Sequence, residues 1–79
     1  MAFYIKIIKI KIIDEKVRYS FEADNGRKGE FDISSRDGSV ELISAMDGDV
    51  KEHYFKRAAA KIYKEWKKGV LPELSEWAS

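Results

Sequence analysis

The stretch FYIKIIKIKII, residues 3–13, constrains the fold more than any other part of the chain. Isoleucine alternates there with lysine, and β-branched side chains fit the pleated surface of a strand better than the crowded side of a helix. Alternation with a period of two makes one face apolar and the other wet, the mark of a half-buried strand. The phase changes once. Ile5 and Ile7 share a face, whereas Ile8, Ile10 and Ile12 must use the other parity if Lys6, Lys9 and Lys11 all face water. A bulge at Ile7–Ile8 would reconcile the halves, since one extra residue restores the facing. It would turn Ile8, Ile10 and Ile12 inward.

A strand with one apolar face needs neighbours, and the following residues supply them. Asp14-Glu15 reads as a tight turn into a second strand over about 16–23, with Val17, Tyr19, Phe21 and Ala23 inward. Asn25-Gly26 resembles a two-residue hairpin turn, but that loop would set inward Phe21 opposite Glu30. A three-residue loop, Asn25-Gly26-Arg27, sets it opposite Phe31 and is preferred. Strand three covers about 28–34. A four-residue loop, Ser35 to Gly38, then brings Val40 opposite Ile33 and Leu42 opposite Phe31 in a fourth strand over about 39–44, with Gly38 left-handed.

Asp49 with Glu52 three places on forms a capping-box pattern for a helix over about 50–68. Phe55, Ala59, Ile62 and Trp66 make its apolar stripe, flanked by Ala58 and Tyr63. Gly69 and Val70 suit a left-handed C-cap, and Pro72 blocks continuation. The expected architecture is α+β, a four-stranded antiparallel β-meander packed on one face by a single C-terminal α-helix. A docked tail over about 70–79 completes one domain. Pro72, Glu73 and Glu76 predict a single helical turn in that tail, joining Leu74 to Trp77.

With 79 residues, the chain has few to spare for its core, yet 44% hydrophobic content argues against disorder. There are no cysteines, hence neither disulfides nor thiolate metal sites. That usage and the absence of a signal-peptide pattern suit the cytoplasm, and no apolar run approaches a membrane span. A net charge of +1 favours neither nucleic acid nor an acidic surface in bulk.

Catalytic signals are sparse. His53, the single histidine, lies opposite the core stripe and reads as solvated rather than as one member of a dyad. Asp47-Gly48-Asp49 has two oxygens of a calcium loop but lacks the terminal bidentate glutamate, so it reads as a turn and cap. No enzyme, cofactor or metal site is expected.

The helix's outer face says more. Arg57, Lys61, Lys64 and Lys68 recur at spacings of four, three and four, flanked by Lys56 and Lys67. They read either as a solvated face whose last-turn cations suit the helix dipole or as a partner-binding face. On the sheet's outer face, Lys11 is expected opposite Arg18, with acids on strand three relieving the repulsion. Almost no aromatics stand there to stack bases. Trp77 either docks on the core or serves as an exposed anchor. The first strand would form an open edge least protected near Phe3, Tyr4 and Ile5, giving a monomer or weak homodimer.

Residues 55–79 (FKRAAAKIYKEWKKGVLPELSEWAS) carry a basic alanine-rich helix, Gly-x-Leu-Pro and a terminal Trp-Ala-Ser. This third of the chain is similar to the ends of small uncharacterised bacterial β-meander-plus-helix proteins. The resemblance implies an immunity-type role and transfers no functional residues. The leading expectation is a non-catalytic protein-binding module, an immunity or accessory protein, with candidate contacts at Arg57, Lys61, Lys64, Lys68, Trp77 and Tyr4. The alternative is a nucleic-acid-binding domain using the four helical cations on phosphates.

Overall fold

The computed structural model describes residues 4–23 and 25–78. Phe3, where the first strand is expected to begin, and Ser79 lie outside them. Five antiparallel strands, not four, form one sheet: β1 (Tyr4–Ile13), β2 (Lys16–Ala23), β3 (Lys28–Ser34), β4 (Val40–Ser44) and β5 (Leu74–Ala78). Their spatial order is β4-β3-β2-β1-β5. A 3₁₀ turn, Val50–Glu52, and the helix α1, His53–Lys67, connect β4 to the last strand.

The fifth strand corrects the reading of the tail. Residues expected to make one helical turn instead pair with β1, Tyr4 opposite Ala78 through Ile8 opposite Leu74. An isolated turn forms few hydrogen bonds for the residues it orders, whereas an unpaired strand offers a ladder ready to be joined. Leu74 and Trp77 therefore lie on opposite faces rather than together. Leu74 is exposed, and Trp77 packs against the core. The same pairing covers the first half of β1, including Tyr4 and Ile5, where the sequence predicts an open edge.

The bulge in β1 falls between Lys9 and Lys11, later than expected. Ile5 and Ile7 are fully buried, but Ile10 and Ile12 are 46% and 65% exposed, contrary to their predicted inward facing. Ile12 does share a face with its partner Val17, yet it stands toward the hairpin tip, where Val17 is buried and Ile12 is not.

The expected facing of β2 holds, with Val17, Tyr19, Phe21 and Ala23 all buried. Its register with β3 differs by two residues from the preferred reading. Tyr19, not Phe21, stands opposite Phe31, and Phe21 faces Gly29. The Ala23 N–H donates to Arg27 at 2.8 Å, so the loop closes one residue earlier than predicted. A shift of two preserves side-chain parity, which is why hydrophobic facing could not detect it. Gly29 is required there, because a Cβ would lie 2.6 Å from both the Phe21 ring and the Ser44 carbonyl. The β3–β4 register is as expected, Ile33 opposite Val40 and Phe31 opposite Leu42.

The core is aromatic at its centre. Tyr19 stacks on Phe31 at 5.8 Å, and Phe55 of α1 meets Phe31 edge-on at 5.9 Å. From the helix, Ala58 and Ile62 are buried, with Phe55 and Trp66 partly buried beside them. The helix begins at His53 rather than near residue 50. Lys51 and Glu52 adopt left-handed backbone, φ +64° and +57°. Asp49 still caps the helix, its carboxylate accepting the N–H groups of Tyr54 at 3.0 Å and Phe55 at 3.1 Å. Glu52 makes no side-chain capping bond, so the expected box is not formed. At the other end, Val70 N–H donates to Glu65 and Gly69 N–H to Trp66, the predicted left-handed cap. Among the described residues, no helix is long and apolar enough to cross a membrane.

Candidate functional site

Pairing β5 beside β1 carries the tail back along α1. The two elements enclose a cleft of about 250 Å³ lined by Ala60, Lys61 and Lys64 from the helix and Glu76, Trp77 and Ala78 from the strand. Trp77 alternates onto the helix side because Ile5, its cross-strand partner, is a core residue. The Arg57 guanidinium lies over the Trp77 ring at 5.4 Å and donates to the His53 carbonyl at 3.2 Å. Such a contact holds a cation on an aromatic face and orients both groups.

Charge in the cleft is uneven. The ion pairs among the described residues are Lys16–Glu41, Arg18–Asp32, Arg36–Glu15 and Lys68–Glu65, and none includes Lys61 or Lys64. Glu76, whose side chain lies on the sheet face opposite Trp77, accepts the Tyr4 hydroxyl at 3.0 Å. That bond, with lesser help from burial and from the carboxylate's charge, holds the Tyr4 phenol above its ordinary pKa. The balance around the mouth is positive.

The backbone of β5 adds a second property. Lys9 N–H donates to the Glu73 carbonyl at 2.9 Å. In an antiparallel ladder mutually bonded pairs alternate with unbonded ones, so Ser75 and Trp77 direct their amides at β1. Leu74, Glu76 and Ala78 direct theirs away from it. Among the described strands β5 ends the sheet, and its outward row runs past the cleft.

The structure thus gathers most of the residues singled out from sequence. Arg57, Lys61, Lys64 and Trp77 converge on one edge, and Tyr4 joins them through Glu76. Lys68 does not line the cleft, and its exposed ammonium lies 3.5 Å from Glu65. Sequence reasoning missed Ala60, Glu76 and Ala78. They matter only through a strand pairing across almost the whole chain, and no local pattern reports that.

Other candidates do not converge. His53 is exposed in the first helical turn. Asp49 is occupied by capping, and the Asp47 carbonyl accepts Arg27 at 2.9 Å. Among the described residues, no group of three His, Cys, Asp or Glu could hold a metal ion. Lys11 does oppose Arg18, and Asp32 relieves the repulsion through a two-pronged pair at 2.8 and 3.1 Å. That pair raises the Arg18 pKa further. A larger hollow of about 550 Å³ is lined by the turn residues Ile13, Asp14, Glu15 and Lys16.

Comparison with protein families, curated proteins and solved structures finds no match to this chain.

Proposed function

We propose that the protein is a non-catalytic protein-binding module, of the immunity or accessory kind, whose partner docks along β5 and the adjoining flank of α1. One observation carries this reading: the outward backbone row of β5 runs beside a cleft holding two lysines that have no ion-pair partner among the described residues. Open strand edges pair readily with another chain, and cations outside internal ion pairs are available to a complementary surface. The immunity element of the proposal rests on the C-terminal resemblance alone.

A nucleic-acid role draws less support from the same geometry. Arg57 is engaged by Trp77 and Lys68 by Glu65, so the four cations do not present one continuous row. Oligonucleotide binding would fall steeply between low and physiological salt.

The test is affinity capture from the source cell with the wild-type chain, the Lys61→Glu/Lys64→Glu pair, and Lys68→Glu as control. A protein held by wild type and Lys68→Glu but lost by the pair is the expected result. A partner retained equally by all three places the docking surface elsewhere.

A further inference from the structure

We infer that the partner inserts an extended segment with acidic side chains at alternate positions, which adds to the sheet as a further strand beside β5. This rests on the docking surface proposed above and specifies what fills it.

Backbone and side chains agree on the kind of ligand. Leu74, Glu76 and Ala78 present the alternating N–H and C=O groups that an antiparallel or parallel strand would satisfy. A strand added there has two faces. Side chains of one parity fall on the helix side, over Lys61, Lys64 and the Trp77 ring. The other parity falls on the outer face, beside Leu74, Glu76 and Ala78. Acids suit the first set, since Lys61 and Lys64 have no ion-pair partner among the described residues. Apolar or hydroxyl side chains suit the second, because Leu74 is 61% exposed and another acid would face Glu76. The ligand pattern is therefore acidic and β-branched in alternation.

One competing occupant and one competing edge fit less well. A second copy pairing β5 with β5 would bring the Lys61 and Lys64 row against its own symmetry mate, like charge on like. The β4 edge, at the opposite side of the sheet, presents Glu41 and an exposed Ile43 in place of cations.

The probe is a capped ten-residue peptide alternating Glu with Val and Thr, titrated into the full ¹⁵N-labelled chain. Three comparisons accompany it: the same peptide with Lys for Glu, the acidic peptide N-methylated on its edge-facing amides, and a mixed-sequence DNA oligonucleotide. The acidic peptide should shift the Leu74, Glu76 and Ala78 amides and the Trp77 indole. It should bind at least tenfold tighter than either modified peptide and lose at least tenfold on Lys61→Glu/Lys64→Glu, whose native fold is checked by its remaining amide spectrum. Equal binding of the acidic and basic peptides, shifts confined to other elements, or no shift at millimolar peptide would overturn the inference. So would DNA moving the same amides with higher affinity. If the captured partner is lost by the lysine pair while the peptide fails, only the strand mode is wrong. If the partner ignores the lysine pair, the docking surface itself is wrong.

Discussion

The Tyr19 hydroxyl donates to the Pro72 carbonyl at 2.6 Å, tying the buried middle of β2 to the residue that turns the chain from α1 toward β5. Pro72 has no N–H of its own and cannot continue a helix. This bond therefore fixes where the tail leaves the core before pairing with β1. Tyr19→Phe should cost about 1 kcal/mol in urea denaturation. It should also speed hydrogen exchange at the β5 amides more than at those of β3.

The same tyrosine sets an alkaline limit on stability. Burial, aided by the nearby Glu73 and Glu65 carboxylates, pushes its phenol up to about 12 from 10.0. The folded state thus keeps a proton that the unfolded chain gives up first, so the stabilisation is complete below pH 10 and is lost as pH rises toward 12. Urea midpoints followed from pH 9 to 12 should decline through that window in wild type and decline less in Tyr19→Phe. Equal declines would assign the alkaline loss to other groups.

Trp66 closes the opposite end of the helix. Its indole N–H donates to the Ser35 carbonyl at 3.0 Å, and its ring lies where a Gly38 Cβ would approach within 2.6 Å. Trp66→Ala should cost about 3 kcal/mol, toward the low end for a large aromatic because the side chain is only partly buried. Trp66→Phe should cost about 1 kcal/mol for the lost hydrogen bond. Gly38→Ala meets both the ring and a left-handed backbone, φ +76°, and should cost about 2 kcal/mol. The double variant Gly38→Ala/Trp66→Ala should be less damaged than the sum, a coupling read by thermal or urea melts.

Arg18 and Asp32 give a contrast within one pair. Asp32 is 4% exposed and accepts both prongs of the Arg18 guanidinium. Arg18→Ala should leave that carboxylate without its partner and lower the urea midpoint well beyond the change for Lys16→Ala. Replacing both residues together by leucine should recover most of the loss. A midpoint unmoved by Arg18→Ala would mean that the pair contributes only surface charge.

Two isoleucines of β1 test the bulge. Ile7 is fully buried, and Ile7→Ala should cost about 3–4 kcal/mol. Ile12 is 65% exposed, so Ile12→Thr should change stability by no more than about 0.5 kcal/mol. Comparable losses would restore Ile12 to the core.

Much of the fold was legible because it depends on periodicity. Alternation in residues 16–23 placed Val17, Tyr19, Phe21 and Ala23 inward, and the lengths of the Asp14-Glu15 turn and the Ser35 to Gly38 loop set the register of Lys11 with Arg18 and of Phe31 with Leu42. Arg57, Lys61 and Lys64 could be grouped because helical spacing alone puts them on one flank. The β2–β3 register was not legible to that rule, since a shift of two residues leaves every side chain on the same face.

By itself, then, the sequence determined the antiparallel meander, the single helix with its Schellman-type end, and the basic flank, all products of local propensity and period. Tertiary structure decided what residues 74–78 become. Their five residues carry too little local preference to choose between a turn and a strand, and the choice falls to the unpaired backbone of β1, almost the whole chain away. That pairing buries the edge beside Tyr4 and opens a new one at β5. It also brings Trp77 under Arg57, turning a row of helical cations into one wall of a cleft. Hydrogen bonds between strands so distant in sequence leave no periodic trace, because each strand's own pattern is satisfied by either arrangement.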